Sequence, residues 1–327
     1  MKKNIAIIVG GYSSEYEVSL KSGHGMYSFI DGDRYNRYQV VLTKEKWEVE
    51  SHEQRFPVDK NDFSFNFNGE KITFDFAYIT IHGTPGENGL LQGYFDMIGL
   101  PYSSCGTLAS ALTFNKYICK QFLSNFGINV APSIRLLPGE TIENETVVQI
   151  LGLPVFIKPN DGGSSCGATK VKQEEEIQAA IQKAFHEGKE VIIEHFLPGT
   201  ELTCGCYKIK GTTTVLPVTE VVSKNEFFDF EAKYTASKVD EITPARISQE
   251  LTQQVQELTS RIYHLVGANG IIRVDYIVSP TNMITLLEVN TTPGMTTTSF
   301  IPQQIAAAGL NIRDVMTAII ESNMQQL

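Results

Sequence analysis

The sequence lacks the long apolar runs and the clustered positive charge that several functional classes require. No stretch approaches the roughly 20 consecutive apolar residues of a membrane-spanning helix. Over 327 residues, 27 lysines and arginines are outnumbered by 37 aspartates and glutamates, which gives a formal net charge of −10. This balance argues against general electrostatic attraction to nucleic acid or to anionic lipid. Any anionic ligand therefore has to be held by local groups.

Cysteines are few, odd in number and scattered. They are Cys105, Cys119, Cys166, Cys204 and Cys206. No pair has the spacing of a common disulfide or zinc framework, so we expect reduced thiols in a cytoplasmic enzyme. The apolar run 4–9 ends in Gly10-Gly11 without a cleavage pattern, and we interpret it as a buried first strand.

Two glycine signatures are also missing from the opening segment. The strand 4–9 is followed by a Gly-Gly loop and by a helix that begins near Glu17, an order typical of a parallel α/β domain. The loop has neither the G-x-G-x-x-G pattern of dinucleotide sites nor the Lys-Ser/Thr of a phosphate loop, so an NAD oxidoreductase is not supported. Two alternating runs, 62–67 and 72–76, flank Asn68-Gly69 and predict a hairpin attached to this domain.

Length and pattern together predict three compact units. They are an N-terminal α/β domain (1–104), a central domain (105–199) and a C-terminal domain (200–327). The central unit is expected to contain a helix that ends near Gly127, a strand at Val155–Pro159, a helix over about 177–185 and a strand at 191–196. The C-terminal unit is expected to contain a helix from Ser248 to about Leu265, two strands and one last helix.

The strongest local signal is the pair of predicted strands 271–278 and 284–290. A symmetric turn centred between residues 281 and 282 would place Asp275 directly opposite Glu288. Two facing carboxylates repel each other unless a cation lies between them. The register thus raises the question of which cation is present.

Two answers are open at this point. The same register places Arg273 opposite Asn290, so Asp275, Glu288 and Asn290 form an all-oxygen set that suits magnesium rather than zinc. Alternatively, Arg273 neutralises both acids at a sheet surface without any metal.

A second segment has the composition of a phosphate-binding loop. A strand ends at Lys158, and the small residues of the loop Asp161–Gly167 would allow backbone N–H groups to approach phosphate oxygens. The strand Val191–Phe196 then leads into a bend, with Glu201 beyond it, that would offer backbone groups to adenine and a carboxylate to ribose. An ordinary mobile turn and a solvated glutamate explain the same residues equally well.

Three further glycine-containing loops follow apolar strands, the place where open α/β sheets bind ligands. They contain Glu15, His82 and the segment 291–299. Glu15 would hold an ammonium group, and His82 would contact a carboxylate. The alternatives are a first-turn carboxylate favoured by the helix dipole and a histidine that is simply packed.

These segments together resemble the D-alanine–D-alanine ligase family of the ATP-grasp fold. The matching motifs are Gly10-Gly11-x-Ser13-x-Glu15-x-Glu17-Val18-Ser19-Leu20, His82-Gly83-x-x-Gly86-Glu87, Leu91-Gln92-Gly93, Lys158-Pro159, Gly163-Ser164-Ser165-x-Gly167, Glu231-Ala232-Lys233-Tyr234, Arg273-x-Asp275 and Glu288-x-Asn290-Thr291-x-Pro293-Gly294-Met295-Thr296. The resemblance implies an N-terminal parallel α/β domain followed by central and C-terminal α+β domains that clamp ATP.

The resemblance also implies a nucleotide and metal site. The residues that it assigns to ATP are Lys116, Lys158, Ser164, Ser165, Glu194, Leu197, Glu201 and Lys233. Lys116 and Lys158 would bind phosphates, Glu194 and Leu197 would lie near adenine, and Glu201 would bind ribose. Asp275, Glu288 and Asn290 would hold two magnesium ions, with manganese as an alternative.

By the same resemblance, two D-alanine molecules are joined through a D-alanyl phosphate. The implied catalytic residues are Glu15, Ser164, Tyr234, Arg273, Gly294 and Ser299. Glu15 would bind the first ammonium and His82 would lie by its carboxylate. Arg273 and the Gly294 N–H would stabilise the oxyanion, and Ser299 would hold the second carboxylate.

A lid over about 225–240 would close the site, since an acyl phosphate hydrolyses if water reaches it. Glu15, Ser164 and Tyr234 would connect the lid to the first-substrate site. Tyr234 favours a dipeptide product over a depsipeptide.

The family further implies peptidoglycan synthesis and a homodimer, with no nucleic acid or membrane partner. A silent nucleotide-binding protein is disfavoured because no metal ligand is lost. The departures from the family pattern are Phe228, Asn88, Asn115 and Cys166.

Overall fold

The computed structural model describes residues 2–51, 53–163, 166–223 and 239–325. Four of the implied site residues lie outside these ranges: Ser164, Ser165, Lys233 and Tyr234. The implied lid lies outside them up to residue 238, as does the departure at Phe228.

The first sheet has a parallel centre and an antiparallel extension. Its strands are β1 (Lys3–Gly10), β2 (Tyr35–Leu42), β3 (Trp47–Ser51), β4 (Gln54–Asp59), β5 (Ser64–Phe67), β6 (Glu70–Ile72) and β7 (Phe76–Ile79), in the order β6-β5-β4-β3-β2-β1-β7. β1 is parallel to both β2 and β7, which confirms the predicted α/β opening. The helices of this region are α1 (Tyr16–Phe29) and α2 (Leu90–Ile98).

β1 is a continuous apolar run because it is covered on both faces, as expected for a central parallel strand. Ile5, Ile7 and Val9 pack into a core that includes Met26 of α1 and residues of the last helix. Ala6 and Ile8 pack into a second core with Phe95 of α2. The Gly10 end of this strand therefore opens at the edge where ligands bind in such sheets.

The predicted hairpin is present, but its second strand is shorter than expected. β5 and β6 pair around Asn68 and Gly69, whose φ angles of +52° and +83° fit a two-residue hairpin turn. The run 72–76 does not continue the hairpin. β6 ends at Ile72, and Phe76 is already the first residue of the parallel strand β7. The two ends of the run 72–76 therefore belong to different strands.

The second sheet is antiparallel and lies in the central part of the chain. It has the order β10-β9-β11-β8, formed by β8 (Ser133–Leu136), β9 (Val155–Pro159), β10 (Thr169–Val171) and β11 (Val191–His195). α5 (Asn144–Leu151) and α6 (Ile177–Glu187) accompany it. Ile177, Ile181 and Ala184 of α6 are buried against this sheet, as their helical spacing predicts.

The third sheet has the order β15-β14-β12-β16-β17, with β13 paired to β12. Its strands are β12 (Thr200–Ile209), β13 (Thr212–Val215), β14 (Thr219–Ser223), β15 (Val239–Ile242), β16 (Ile271–Val278) and β17 (Ile284–Asn290). α3 (Thr107–Phe114) and α4 (Lys116–Ser124) contribute Ala109, Cys119 and Leu123 to its core. The domain boundary at 104/105 stays a prediction.

Of the two helices predicted for the C-terminal unit, the first is confirmed and the second is not. α7 (Gln249–Leu265) begins where predicted, and the Ser248 side chain caps it by accepting from the Leu251 N–H. The single last helix that we predicted is wrong. α8 (Phe300–Ala307) and α9 (Ile312–Met324) stand in its place. Gly309, with φ +71°, reverses the chain between them.

The register between β16 and β17 is as predicted, although the turn is not. Asp275 lies opposite Glu288 and Arg273 lies opposite Asn290. Val278 pairs with Ile284, so the turn is centred on Thr281, and a register shift beyond Asp275 leaves Leu287 as an extra residue. The bulge compensates for the displaced turn and brings the two carboxylates face to face.

None of the helices in the described part of the chain is long and apolar enough to cross a membrane.

Candidate active site

One cleft of about 1280 Å³ collects the predicted site residues from all three sheets. Every predicted site residue that the structure describes lines it: Glu15, His82, Lys116, Lys158, Glu194, Leu197, Glu201, Arg273, Asp275, Glu288, Asn290, Gly294 and Ser299. Residues more than 250 positions apart thus meet in a single space, and their grouping no longer depends on a resemblance.

One end of the cleft has apolar walls above a buried cluster of charges. Phe156, Ala131, Leu197 and Leu286 line it together with Ile277. Below them, Lys158 Nζ lies 2.7 Å from Glu194 Oε2, and Lys120 contacts the other oxygen of the same carboxylate. Burial alone would raise the Glu194 pKa, but the two lysines lower it to about 2. A flat apolar group with polar edges fits this end.

Lys116 carries a positive charge to the middle of the cleft. It is the first residue of α4, and the Asn115 side chain caps that helix by accepting from the Ile118 N–H. Asparagine caps helices about as well as aspartate, so the departure at Asn115 leaves the helix start intact. The Lys116 ammonium donates to the Gly162 carbonyl at 2.5 Å and lies 3.6 Å from Glu288 Oε2.

A buried asparagine fixes this helix start against β9. Asn160 is fully buried, accepts from the Tyr117 N–H at 2.8 Å and donates to Glu190 Oε2 at 2.6 Å. Arg135 forms two hydrogen bonds with the same carboxylate. The hydrogen bonds from Arg135 hold the Glu190 pKa below its usual range against the opposing effect of burial. This network sets the distance between Lys116 and Lys158.

We expect Asn160→Ala to destabilise the protein by about 1–3 kcal/mol, because it removes a fully buried side chain that accepts from the half-buried Tyr117 N–H and donates to Glu190. Urea unfolding followed by circular dichroism measures this loss. Asn66→Ala, on the exposed side of β5, is the matched control and is expected to change stability by less than about 0.5 kcal/mol. Equal unfolding midpoints for the two variants would contradict the role assigned to Asn160.

The facing carboxylates are balanced by two cations in this structure: Arg273 pairs with Asp275, and Lys116 lies 3.6 Å from Glu288. Arg273 donates to both oxygens of Asp275 at 2.9 and 2.8 Å, and Thr203 Oγ1 donates to Oδ1 at 2.6 Å. Asn290 Nδ2 lies 3.0 Å from Asp275 Oδ2. Burial opposes the charge on Arg273, but the Asp275 carboxylate outweighs it and raises the Arg273 pKa. Arg273 therefore neutralises Asp275, as the arginine interpretation expected, but Glu288 is ion-paired with Lys116 instead.

The same donor set also fits a hard divalent cation. Asp275, Glu288 and Asn290 converge from two paired strands and offer carboxylate and amide oxygens. Among the described residues, no three or more His, Cys, Asp or Glu side chains lie close enough together to hold a metal ion. Magnesium at this place would therefore need oxygens from a ligand as well, which is how it binds beside nucleotide phosphates.

A third part of the cleft surrounds Glu15. This residue precedes α1 directly, its side chain does not cap the helix, and only 6% of it is exposed. A β-carbon at Gly163 would lie 2.3 Å from Glu15 Oε2, so the glycine-rich loop rests against this carboxylate. His82 is also buried, with Nε2 3.1 Å from Ser22 Oγ. The Glu15 carboxylate is thus held in the cleft beside the start of α1, without a capping hydrogen bond.

The fourth part lies at the start of α8. Ser299 Oγ accepts from the Thr296 N–H at 3.0 Å and lies 2.8 Å from Thr296 Oγ1. A β-carbon at Gly294 would come within 3.0 Å of that hydroxyl. Arg273 lies over the Phe300 ring at 5.4 Å. An N–H, a hydroxyl and a guanidinium are therefore grouped beside the facing carboxylates, as anion recognition requires.

Sequence reasoning assigned no role to four charged residues that line the cleft: Lys21, Glu87, Lys120 and Glu241. Lys120 follows Lys116 by four positions, so the shared helix face was a usable signal. Glu87 accepts from the Gly83 N–H at 2.7 Å, and burial raises its pKa. Glu241 accepts from Gln303 at 2.6 Å, and burial raises its pKa as well. No spacing pattern in the sequence marks Glu241.

Two protein-family models match the chain. The D-ala D-ala ligase N-terminus covers residues 4–105, and the D-ala D-ala ligase C-terminus covers residues 122–321. The chain is 63% identical to a D-alanine--D-alanine ligase of Parabacteroides distasonis, over 99% of this chain and 98% of that protein. It is 61% identical to one of Bacteroides fragilis, over 98% and 99%.

Solved structures agree with these relatives. VanG D-Ala:D-Ser ligase from Enterococcus faecalis is similar with a TM-score of 0.87 and 32% identity, over 99% of this chain and 100% of that one. D-alanyl-alanine synthetase A from Vibrio cholerae is similar with a TM-score of 0.89 and 28% identity, over 99% of both chains.

The fold and the site define an ATP-dependent ligase of the ATP-grasp class. The chain belongs to the D-alanine–D-alanine ligase family.

Proposed function

We propose that the chain joins two D-alanine molecules into D-alanyl-D-alanine at the expense of ATP, for the synthesis of peptidoglycan precursors. One observation carries this proposal. A single cleft brings together a charged and apolar end for a nucleotide, facing carboxylates for magnesium, and a buried glutamate that would accept from an ammonium group. Identity of 63% over nearly the whole length supports the same substrate and product.

The nucleotide binds at the apolar end in this proposal. Adenine lies between the walls formed by Phe156, Leu197 and Leu286, with Glu194 at its polar edge. Lys158 and Lys116 bind the phosphates, and Glu201 binds the ribose. Asp275, Glu288 and Asn290 would hold magnesium, which would supply positive charge against the phosphates. The resemblance adds Ser164, Ser165 and Lys233 to the phosphate end.

The first D-alanine is bound and oriented by the loops around Glu15. The Glu15 carboxylate accepts hydrogen bonds from its ammonium group, and His82 lies by its carboxylate. One carboxylate oxygen attacks the γ-phosphorus of ATP, the bond to the β-phosphate oxygen breaks, and ADP leaves. The product of this step is D-alanyl phosphate, a mixed anhydride that must be kept from water.

The second D-alanine is held through its carboxylate by Ser299. Its free amine attacks the acyl carbon, and the developing oxyanion accepts hydrogen bonds from Arg273 and from the Gly294 N–H. Each such donor lowers the barrier by about 3–4 kcal/mol. Collapse of the oxyanion breaks the bond to the phosphate oxygen, the leaving phosphate takes the proton that the nitrogen loses, and the dipeptide remains. Tyr234 and Ser164, together with Glu15, are proposed to connect the closing lid to this site.

The direct test is to identify the product. The protein is incubated with magnesium-ATP and D-alanine, with L-alanine, or with D-alanine plus either D-lactate or D-serine, and the products are separated by mass. We expect D-alanyl-D-alanine as the main product in every mixture that contains D-alanine, and no product from L-alanine. A main product with D-lactate or D-serine at its carboxyl end would overturn the assignment.

We expect Gly163→Ala to raise the KM of the first D-alanine at least about tenfold, because the added carbon would displace the Glu15 carboxylate. Steady-state kinetics at saturating ATP measure this change. Gly93→Ala, whose β-carbon would meet Thr107 at an ordinary 3.5 Å, is the control. An unchanged KM in Gly163→Ala would show that Glu15 does not bind the first substrate.

The location and the assembly remain proposals. All five cysteines are free, and the need for ATP supports a cytoplasmic enzyme. A homodimer is proposed from the family resemblance alone, and sedimentation velocity would test it.

A further inference from the structure

Lys120 is a buried lysine to which the proposed reaction gives no task. It lies one helical turn after Lys116 on α4, and 2% of the residue is exposed. Its ammonium donates to Glu194 Oε1, and it lines the same cleft. Burying an ammonium group is costly unless a partner compensates it, so the position calls for a specific explanation.

Glu194 has two cationic partners, one on each oxygen. Lys158 Nζ lies 2.7 Å from Oε2, while Lys120 contacts Oε1. Both lysines also feel the Glu288 carboxylate, and burial lowers the pKa of Lys120 to about 8. Burial works against the charge on Lys158, but Glu194 and then Glu288, on the metal side of the cleft, raise its pKa. Lys158 is the lysine that the proposed function assigns to a phosphate, whereas Lys120 reaches Glu194 from α4.

When a nucleotide binds, the arrangement allows Lys158 to contact a phosphate while Lys120 stays paired with Glu194. If Lys158 turns to a phosphate, Glu194 keeps one cation only if Lys120 is present. A buried carboxylate without a cation takes up a proton and then becomes a hydrogen-bond donor. With Lys120 in place, Glu194 remains an ionised carboxylate that can only accept.

We propose that Lys120 is a positioning residue for purine recognition: it holds Glu194 as a fixed, ionised acceptor and so sets the preference for 6-aminopurine over 6-oxopurine nucleotides. The inference rests on the proposed function for the placement of adenine beside Glu194. An amino group at the purine 6-position donates to such an acceptor. A 6-oxo group offers only an oxygen, which the carboxylate repels.

Nucleotide binding without D-alanine tests the inference separately from catalysis. The dissociation constants of ATP and ITP, whose base has a 6-oxo group, are measured by calorimetry with magnesium for the native protein and for Lys120→Met. We expect the ATP dissociation constant to rise about tenfold and the ITP constant to change less than about threefold, as the loss of one charged hydrogen bond predicts. The preference for ATP, which is the ITP dissociation constant divided by the ATP dissociation constant, should therefore fall.

Three further variants separate positioning from general damage. Glu194→Gln should lose most of the preference for ATP, because its amide can donate to a 6-oxo group, and it tests the proposal even if Lys120→Met does not fold. Adding Lys120→Met to Glu194→Gln should change the ratio no further. Lys183→Met, at an exposed position of α6, should leave it unchanged.

The outcomes are distinct. An unchanged ratio in Lys120→Met, or a further fall in the double variant, would overturn the positioning role. A native protein that binds ATP with the expected preference but forms no dipeptide would sink the proposed function and leave this inference standing. A native protein that does not prefer ATP to ITP would overturn the inference even if dipeptide forms.

Discussion

Glu288→Gln is expected to lower kcat for ADP release by about 10³-fold, the loss that follows when several kcal/mol of charge stabilisation by a metal are removed. Glutamine keeps the size and one oxygen of the side chain but loses its charge. Glu288 contributes one of the two negative charges of the facing pair with Asp275. It also balances Lys116 at 3.6 Å, so the substitution removes the anion between a lysine and the proposed metal.

The measurement follows ADP release with D-alanine over a range of magnesium concentrations. The magnesium requirement of Glu288→Gln should move to higher concentration as kcat falls. Glu257→Gln, on an exposed part of α7, is the control and should behave like the native protein. Full activity of Glu288→Gln at the native magnesium concentration would show that this residue does not hold the metal.

Arg273→Lys is expected to lower kcat by about 10²–10³-fold, the usual cost of losing one oxyanion donor. Lysine keeps the positive charge but cannot reproduce the two parallel hydrogen bonds that Arg273 makes to Asp275. The KM of ATP should change far less than kcat, because this group acts on the transition state of the second step.

Arg246→Lys is a matched control for that substitution. Arg246, in the loop after β15, makes the same two-pronged contact, at 2.9 Å from each oxygen, with Glu220 of β14 in the same sheet, and neither residue lines the cleft. Its side chain is 62% exposed, and the change is expected to have little effect. Equal losses in the two variants would mean that sheet stability, and not the oxyanion, explains the effect of Arg273.

The central parts of the fold could be predicted because local patterns determine them. The strand 4–9, the helix after Ser248 and the register of Asp275 against Glu288 follow from burial, capping and alternation of side chains. The register prediction succeeded although the turn is displaced, because the bulge at Leu287 restored it. Neither the bulge nor the break before α9 leaves a pattern that periodicity can detect.

The site could be predicted only where a motif marks it. Lys158, Asp275 and Glu288 stand in glycine-rich or alternating segments, and the structure brings them into one cleft. Lys120 and Glu241 act through neighbours that are distant in sequence, such as Glu194 and Gln303. Contacts of this kind depend on how the sheets pack together, and a single sequence does not record them.

The central claim is that a carboxylate of D-alanine is activated by phosphoryl transfer before the amide bond forms. D-alanine labelled with heavy oxygen in its carboxylate tests it, since the oxygen that attacks ATP leaves with the phosphate. We predict one heavy oxygen atom in each phosphate released, with the other retained in the peptide carbonyl. Phosphate free of label, with dipeptide still formed, would contradict the acyl phosphate mechanism.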